Sequence, residues 1–281
     1  MVDAPFVLYR SFFALPDSIR GLDDHPVGAL LGSANSVLRV VQDTAPRAVV
    51  VCFGAEDAAY RVRLYAGYHA QRPAMPDALR WQFEQAPAMF AALGWHIESS
   101  ASLEADDLLG SLALVETAAG GRTLILTGDR DMYQCVSGVV SVRYLKQGSA
   151  SFETIDAAEV QRRYGIPPAL VPDFIALRGD PSDGLPGAPG IGAKTAADLL
   201  RRHGSLEAAI AAAPGERPRI AAALTEHGDS LRVYRQIALL STVDLPRPAD
   251  GDTDFRAGAT AAAALGMDQL AARLEAAAAV L

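Results

Sequence analysis

Cysteine is nearly absent from this chain: two residues in 281, Cys52 and Cys135, each inside an apolar run (VVVCF and MYQCV). Without CxxC spacing or a nearby histidine they make no zinc site, and both are expected to be buried free thiols. Long apolar stretches are missing too. None approaches the roughly 18 residues that would span a bilayer, and the N-terminus lacks the basic and apolar segments of a secretion signal. The expected setting is cytoplasmic, nucleoid-associated, with no membrane partner. A basic surplus is also lacking, since the net charge is −8. That balance argues against a phosphate-backbone partner, which normally requires a basic footprint. The objection weakens once the acids are located: eight of the 33 fall in four clusters, where bound cations would reverse the local field. Half the residues are hydrophobic and none of the sequence has a disordered composition. The length suits one large domain, or a main domain with a helical appendage.

The four clusters are Asp3; Glu104 with Asp106 and Asp107; Asp129 with Asp131; and Asp180 with Asp183. Each adjoins an apolar run that should be a strand end or a core-facing helix, so folding would bring several negative charges together at the edge of a core. Two carboxylates about 4 Å apart repel by roughly 4 kcal/mol at an effective dielectric of about 20. Oxygen-only ligand sets of this kind suit Mg²⁺ or Mn²⁺. The clusters therefore predict a metal-dependent enzyme acting on phosphates.

Along the chain, Asp3 is preceded only by Met1 and Val2, which implies either a very short strand or a gene start placed late. An apolar-aromatic segment follows (FVLYRSFFALP), then a helical pattern over HPVGALLGSANSVLRVVQDTAP. RAVVVCF (47–53) and RTLILTGD (122–129) are continuous apolar runs of strand length, as in buried parallel strands. WHIES (95–99) reads as a further short strand, and residues 76–94 have helical spacing. Alternating helices and apolar strands predict an α/β fold with a central, mainly parallel sheet flanked by helices. Ligands of such sheets gather at the carboxyl ends of the strands, where Asp3, Asp129 and Asp131 fall. Beyond residue 155 short helices with Gly/Pro-rich turns take over. We place an α/β core at 1–165 and a helical subdomain at 166–281, with residues 260–281 as packing helices.

In SLEADDLLGSLA (102–113), Ser102 is positioned to cap a helix whose first turn holds the three acids. Glu104 and Asp107 share a face, whereas Asp106 lies well round the helix, so ideal geometry cannot aim all three at one ion. Asp129 and Asp131, at i,i+2 after an apolar run, point to one side if the chain is extended. The turn LPGAPGIGAKTA departs from a nucleotide P-loop by one residue, because Ala193 separates Gly192 from Lys194, and no apolar strand precedes it. A helix-hairpin-helix fits better. The backbone amides around Gly190 and Gly192, with Lys194 and Thr195 opening the next helix, would cradle a DNA phosphate without reading sequence.

The order of motifs (Asp3 before LYRSFFALP, then YRVRLYAGYHAQRPAMP, EADDLLGSLA, LILTGDRDMYQ and LRGDPSDGLPGAPGIGAKTAADLL) resembles the prokaryotic 5′-3′ exonuclease and flap endonuclease family, from residue 3 to about 205. That family includes the 5′-nuclease domain of DNA polymerase I, and the resemblance implies a PIN-like nuclease core, here free-standing. It further implies one metal site from Asp3, Glu104, Asp106, Asp107 and Asp129, and a second from Asp131, Asp180 and Asp183, for two ions with a third left open. Tyr68 matches an aromatic that stacks on the base beside the scissile bond, and Arg72 a basic residue that reaches the scissile phosphate. His69 stands where the family usually has Lys. Arg61 and Arg63 complete a basic strip, although helical spacing over these residues equally suits a solvated amphipathic helix. Two further departures are Gly54, where an acid usually follows the phenylalanine, with Glu56 or Asp57 as substitutes, and Gly184 in place of an Asn. The implied activity is two-metal hydrolysis of DNA at 5′ flaps, nicks or duplex ends, or of an RNA–DNA hybrid, by a monomer. A weakened branched-DNA-binding protein and a ribonuclease on a related acidic site are the competing readings.

Overall fold

The computed structural model describes residues 1–145 and 152–279. A six-stranded sheet forms the centre: β1 (Val2–Asp3), β2 (Val50–Phe53), β3 (His96–Ser99), β4 (Thr123–Thr127), β5 (Val140–Leu145) and β6 (Phe152–Ile155). The order is β3-β2-β1-β4-β5-β6, all parallel except the antiparallel β5–β6 pair. The last two strands were not anticipated from the sequence. β1 is only two residues long, yet it is central. Val2 registers with both Val51 and Leu126, and the Met1 amine donates to the Leu124 carbonyl at 2.8 Å.

Among the described residues, twelve α-helices accompany this sheet: α1 (Ala4–Ala14), α2 (Gly28–Thr44), α3 (Ala59–Leu64), α4 (Asp77–Ala92), α5 (Ala105–Ala118), α6 (Ala157–Tyr164), α7 (Val171–Arg178), α8 (Ala193–His203), α9 (Leu206–Ala211), α10 (Pro218–Ala238), α11 (Phe255–Ala264) and α12 (Asp268–Ala278). Strand side chains alternate between faces, and two cores result. Val50, Cys52 and Ile125 pack with Leu108 and Leu112 of α5 and continue without a break into Phe174, Leu199 and Leu231 of the helical region. Val2, Val51 and Leu126 face the other way, onto Leu30, Phe90 and Leu270. The helices after residue 166 are thus divided between the faces, because α11 and α12 cross to pack with α2 and α4. Of the C-terminal packing segment, residues 280 and 281 lie outside the described residues.

The crossing is made by a coil, residues 239–254, with neither helix nor strand. It is clipped to α5 by a series of hydrogen bonds. Ser241 N donates to Asp107 (2.8 Å), Val243 N to Ser111 Oγ (3.0 Å), and the Arg247 guanidinium to both Glu116 oxygens (3.0 Å each). The Trp95 indole then donates to Thr253 at 3.1 Å.

Candidate active site

In an open parallel sheet the crevice lies where neighbouring strands lead away in opposite directions. Here that point is β1–β4. Asp3 ends β1 and caps α1, one carboxylate oxygen accepting from Phe6 N (2.9 Å) and the other from Thr127 Oγ1 (2.6 Å). Asp129 and Asp131 follow β4 and are linked by the Asp131 N–H to Asp129 Oδ1 bond of 2.8 Å. Asp106 projects from the first turn of α5, and Asp183 comes from the turn after α7. Together with Glu104 these side chains line one cavity of about 540 Å³.

Burial and mutual repulsion act in one direction on this group. Loss of water pushes Asp129 up to about 7; Asp183, Asp3 and Asp180 add repulsion, and the Asp131 N–H offsets part of it. Burial also raises Asp106, with Asp129, Asp3, Glu104 and Asp131 contributing, and raises Asp131 through Asp129, Asp183 and Asp180. Asp3 is raised by burial against its two hydrogen bonds. Asp180 does not line the cavity. Its carboxylate is occupied by Ser182 N (3.0 Å) and Arg178 (3.0 Å), and it acts on Asp129 and Asp131 by charge alone. Among the described residues, no three of these side chains already form a group that could hold a metal ion.

Arg61, Tyr68, His69 and Arg72 also line this cavity, but several expected site residues are engaged differently from the expectation. Asp107 points away from the cavity, since it lies about 100° round the helix from Asp106. It is fully buried in a bidentate pair with Arg61 (2.8 and 3.0 Å) and closes a capping box with Glu104, which takes the cap position expected for Ser102. Arg61 is correspondingly no DNA contact: it is 3% exposed, paired to Asp107 and Glu104, and donates to the Ile237 carbonyl. Tyr68 is not offered to a base. Its hydroxyl donates to Glu104 at 2.8 Å and its ring is covered by His69, centroids 3.8 Å apart. His69 is buried rather than facing a phosphate, its ring nitrogens 2.7 Å from Asp57 and 3.2 Å from Asp183. The segment 60–72 is not one amphipathic helix, because α3 stops at Leu64 and turns follow. Arg63 is exposed on α3; Arg72 is exposed at the cavity rim, donating to the Glu56 carbonyl at 3.3 Å.

At position 54, where the resemblance places an acid, a side chain would collide with the backbone at the start of α5. A Cβ on Gly54 would lie 2.2 Å from the Ala105 nitrogen, so the start of α5 occupies the space a side chain needs. Of the suggested substitutes, Glu56 lines the cavity and Asp57 does not. Gly184 has φ +73°, and a Cβ there would meet the Gly67 carbonyl oxygen at 2.5 Å.

Between α7 and α8, Gly187 and Gly190 adopt positive φ and Gly192 caps α8 with open space around it. Lys194 is exposed and Thr195 partly so. Sequence reasoning missed Arg219, whose exposed guanidinium lies over Gly190, 2.8 Å from where a Cβ would be. It also missed an aromatic wall of the cavity formed by Phe6, Tyr9, Phe13 and Phe83. The i,i+3,i+7 spacing of the first three was the available signal.

Comparison with known proteins agrees with this architecture. Residues 1–165 match the model of the 5′-3′ exonuclease N-terminal resolvase-like domain, and 166–256 that of the 5′-3′ exonuclease C-terminal SAM fold. The chain is 37% identical to a 5′-3′ exonuclease of Streptomyces coelicolor, covering 97% of this chain and 94% of that one. It is 34% identical to DNA polymerase I of Mycobacterium leprae over 90% of this chain but only 28% of the polymerase. Among solved structures, zinc-bound T5 5′-exonuclease shares the fold with a TM-score of 0.70 at 16% identity, covering 97% and 96% of the two chains. The chain belongs to the 5′-3′ exonuclease family, a family of nucleases. Among the described residues no helix is long and apolar enough to cross a membrane.

Proposed function

We propose that this chain hydrolyses DNA phosphodiesters near free 5′ ends, at flaps, nicks or duplex termini, with divalent ions held by Asp3, Glu104, Asp106, Asp129, Asp131 and Asp183, and with Asp180 adding negative charge behind them. The supporting observation is one cavity at the sheet's switch point, lined by acids whose pKa values are raised by burial and by one another's charge. The donor set fits Mg²⁺ or Mn²⁺ because every ligand is a hard oxygen. Mg²⁺ keeps several waters and takes only one or two carboxylates, so a closed three-ligand shell is not required beforehand. When bound, two such ions supply Lewis acidity at the attacking and leaving oxygens of an in-line displacement.

The protein's own groups do the rest. Arg72 presents its guanidinium at the rim, where it offsets charge on phosphoryl oxygens. Stacking of bases on the aromatic wall would retain unpaired nucleotides irrespective of sequence. The amides around Gly190 and Gly192, with Lys194 and Arg219, hold the duplex backbone, and such contacts carry no base information. The enzyme acts as a monomer, in the nucleoid.

A labelled 5′-flap DNA tests this reading against an RNA–DNA hybrid and single-stranded RNA, each with Mg²⁺, Mn²⁺ or chelator. Metal-dependent cleavage near the flap junction, irrespective of sequence, is expected. Cleavage of RNA alone, or undiminished cleavage in chelator, overturns it. The weakened-binder alternative draws on Gly54 and His69, and predicts flap binding without a cut.

A further inference from the structure

We propose that the stacked Tyr68 and His69 rings form a positioning pair that spans the carboxylate basin, and that Asp57 anchors it. The inference rests on the metal-site reading above and concerns how that site is held.

Glu104 and Asp183 reach the basin from different elements, one at the start of α5 and the other after α7. The two rings join them. The Tyr68 hydroxyl donates to Glu104 Oε2 at 2.8 Å; His69 lies on the Tyr68 ring at 3.8 Å with 24° between planes; and His69 Nε2 stands 3.2 Å from Asp183 Oδ1. Each end is backed by a second contact. Arg61 pairs with Glu104 at 3.1 Å, and Asp57 Oδ1 holds His69 Nδ1 at 2.7 Å.

Backbone contacts show that this arrangement is specified rather than loose. His69 N donates to the Asp183 carbonyl at 3.1 Å, and the Gly67 carbonyl leaves no room for a Cβ on Gly184. His69 itself has φ +53°, a conformation that L side chains rarely adopt and that surrounding structure must over-determine. Both rings are buried. In this conformation they meet acids, not solvent.

Asp57 is the informative member. It does not line the cavity, and its side chain is 46% exposed, so it can be changed without touching a metal donor or the core. It also accounts for a peculiarity of the chain. No side chain fits at Gly54, where the resemblance places an acid, and an acid three residues later acts on the basin through a histidine instead.

The test compares Asp57→Ala and Asp57→Asn with wild type in three measurements: Mn²⁺ binding without DNA, by loss of the free-ion electron paramagnetic resonance signal; kcat and KM on a 5′-flap; and thermal unfolding in chelator. Groups that orient metal ligands typically contribute 10- to 100-fold to affinity. Asp57→Ala is expected to weaken Mn²⁺ binding by about 10-fold and lower kcat with little change in KM. Asp57→Asn, whose amide oxygen still accepts a hydrogen bond from the ring, should recover most of both. Wild-type Mn²⁺ binding by Asp57→Ala overturns the proposal, as does an Asn variant no better than Ala. Asp131→Ala run alongside separates the two ideas: if it still binds Mn²⁺ and cuts, the metal basin itself is wrong, whereas its failure beside a normal Asp57→Ala removes only the positioning pair.

Discussion

Helix α5 carries acids at both ends, and the two ends treat them oppositely. At its start, Asp106 faces other carboxylates and burial raises it well above the usual range. Near its end, the buried Glu116 receives Arg47 and Arg247, whose hydrogen bonds hold it down at about 2. One helix thus shows what separates a site from a support: the support neutralises its charge internally, while the site leaves its charge for something brought from outside. The aromatic-lined cavity beside Asp106 and the coil crossing beside Glu116 are consistent with that division.

Removing a ligand from the open end should have the largest effect. Asp131→Ala is expected to reduce flap cleavage to background while leaving DNA binding measurable in a mobility-shift assay; wild-type cleavage would break the comparison at its first term. At the paired end, Glu116→Gln leaves two arginines facing an uncharged partner and should cost about 2–3 kcal/mol in urea unfolding. Because the folded pKa of about 2 lies below the reference of 4.5, this stabilisation is present above pH 4.5 and is lost as pH falls towards 2. A variant as stable as wild type would show that the pairing is incidental.

Asp129 should behave with the opposite sign. Its folded pKa of about 7 exceeds the reference of 3.8, so the metal-free protein is most stable at this group below pH 3.8 and loses that advantage as pH rises through 7. Asp129→Asn in chelator at pH 8 is expected to raise stability by about 1–3 kcal/mol, the gain vanishing near pH 4. Unfolding at both pH values measures it; destabilisation at pH 8 would mean that the basin is not repulsive. The smallest effect should come from Lys194→Ala, which weakens DNA binding evenly across sequences and lowers the log–log salt slope by about 1. A loss confined to one sequence would contradict phosphate cradling.

Much of this was legible beforehand because periodicity and strand ends are local properties. VVVCF and TLILT mark strands by composition, and the acids after them mark the crevice. What stayed hidden depended on partners distant in sequence. Asp106 and Asp107 are adjacent and chemically identical, and partners distant in sequence, Arg61 46 residues before and Ser241 well after, mark Asp107 as a support. The role of His69 was hidden in the same way, since nothing at position 69 announces Asp57 on one side and Asp183 on the other. Gly54 looked like a lost ligand, yet a side chain there would collide with the start of α5. Gly54→Asp should therefore destabilise by about 1–3 kcal/mol, as overpacking does, rather than restore a donor. A stable Gly54→Asp with improved metal affinity would reverse that conclusion.

Loops ordinarily tolerate insertion and deletion. The coil from Ser241 to Arg247 should not, because its attachments fall at Asp107, Ser111 and Glu116, successive rungs of a rigid helix. Shortening it by one residue would put every later rung out of step, so this unstructured-looking stretch should be as intolerant of a changed residue count as a strand is of a slipped register.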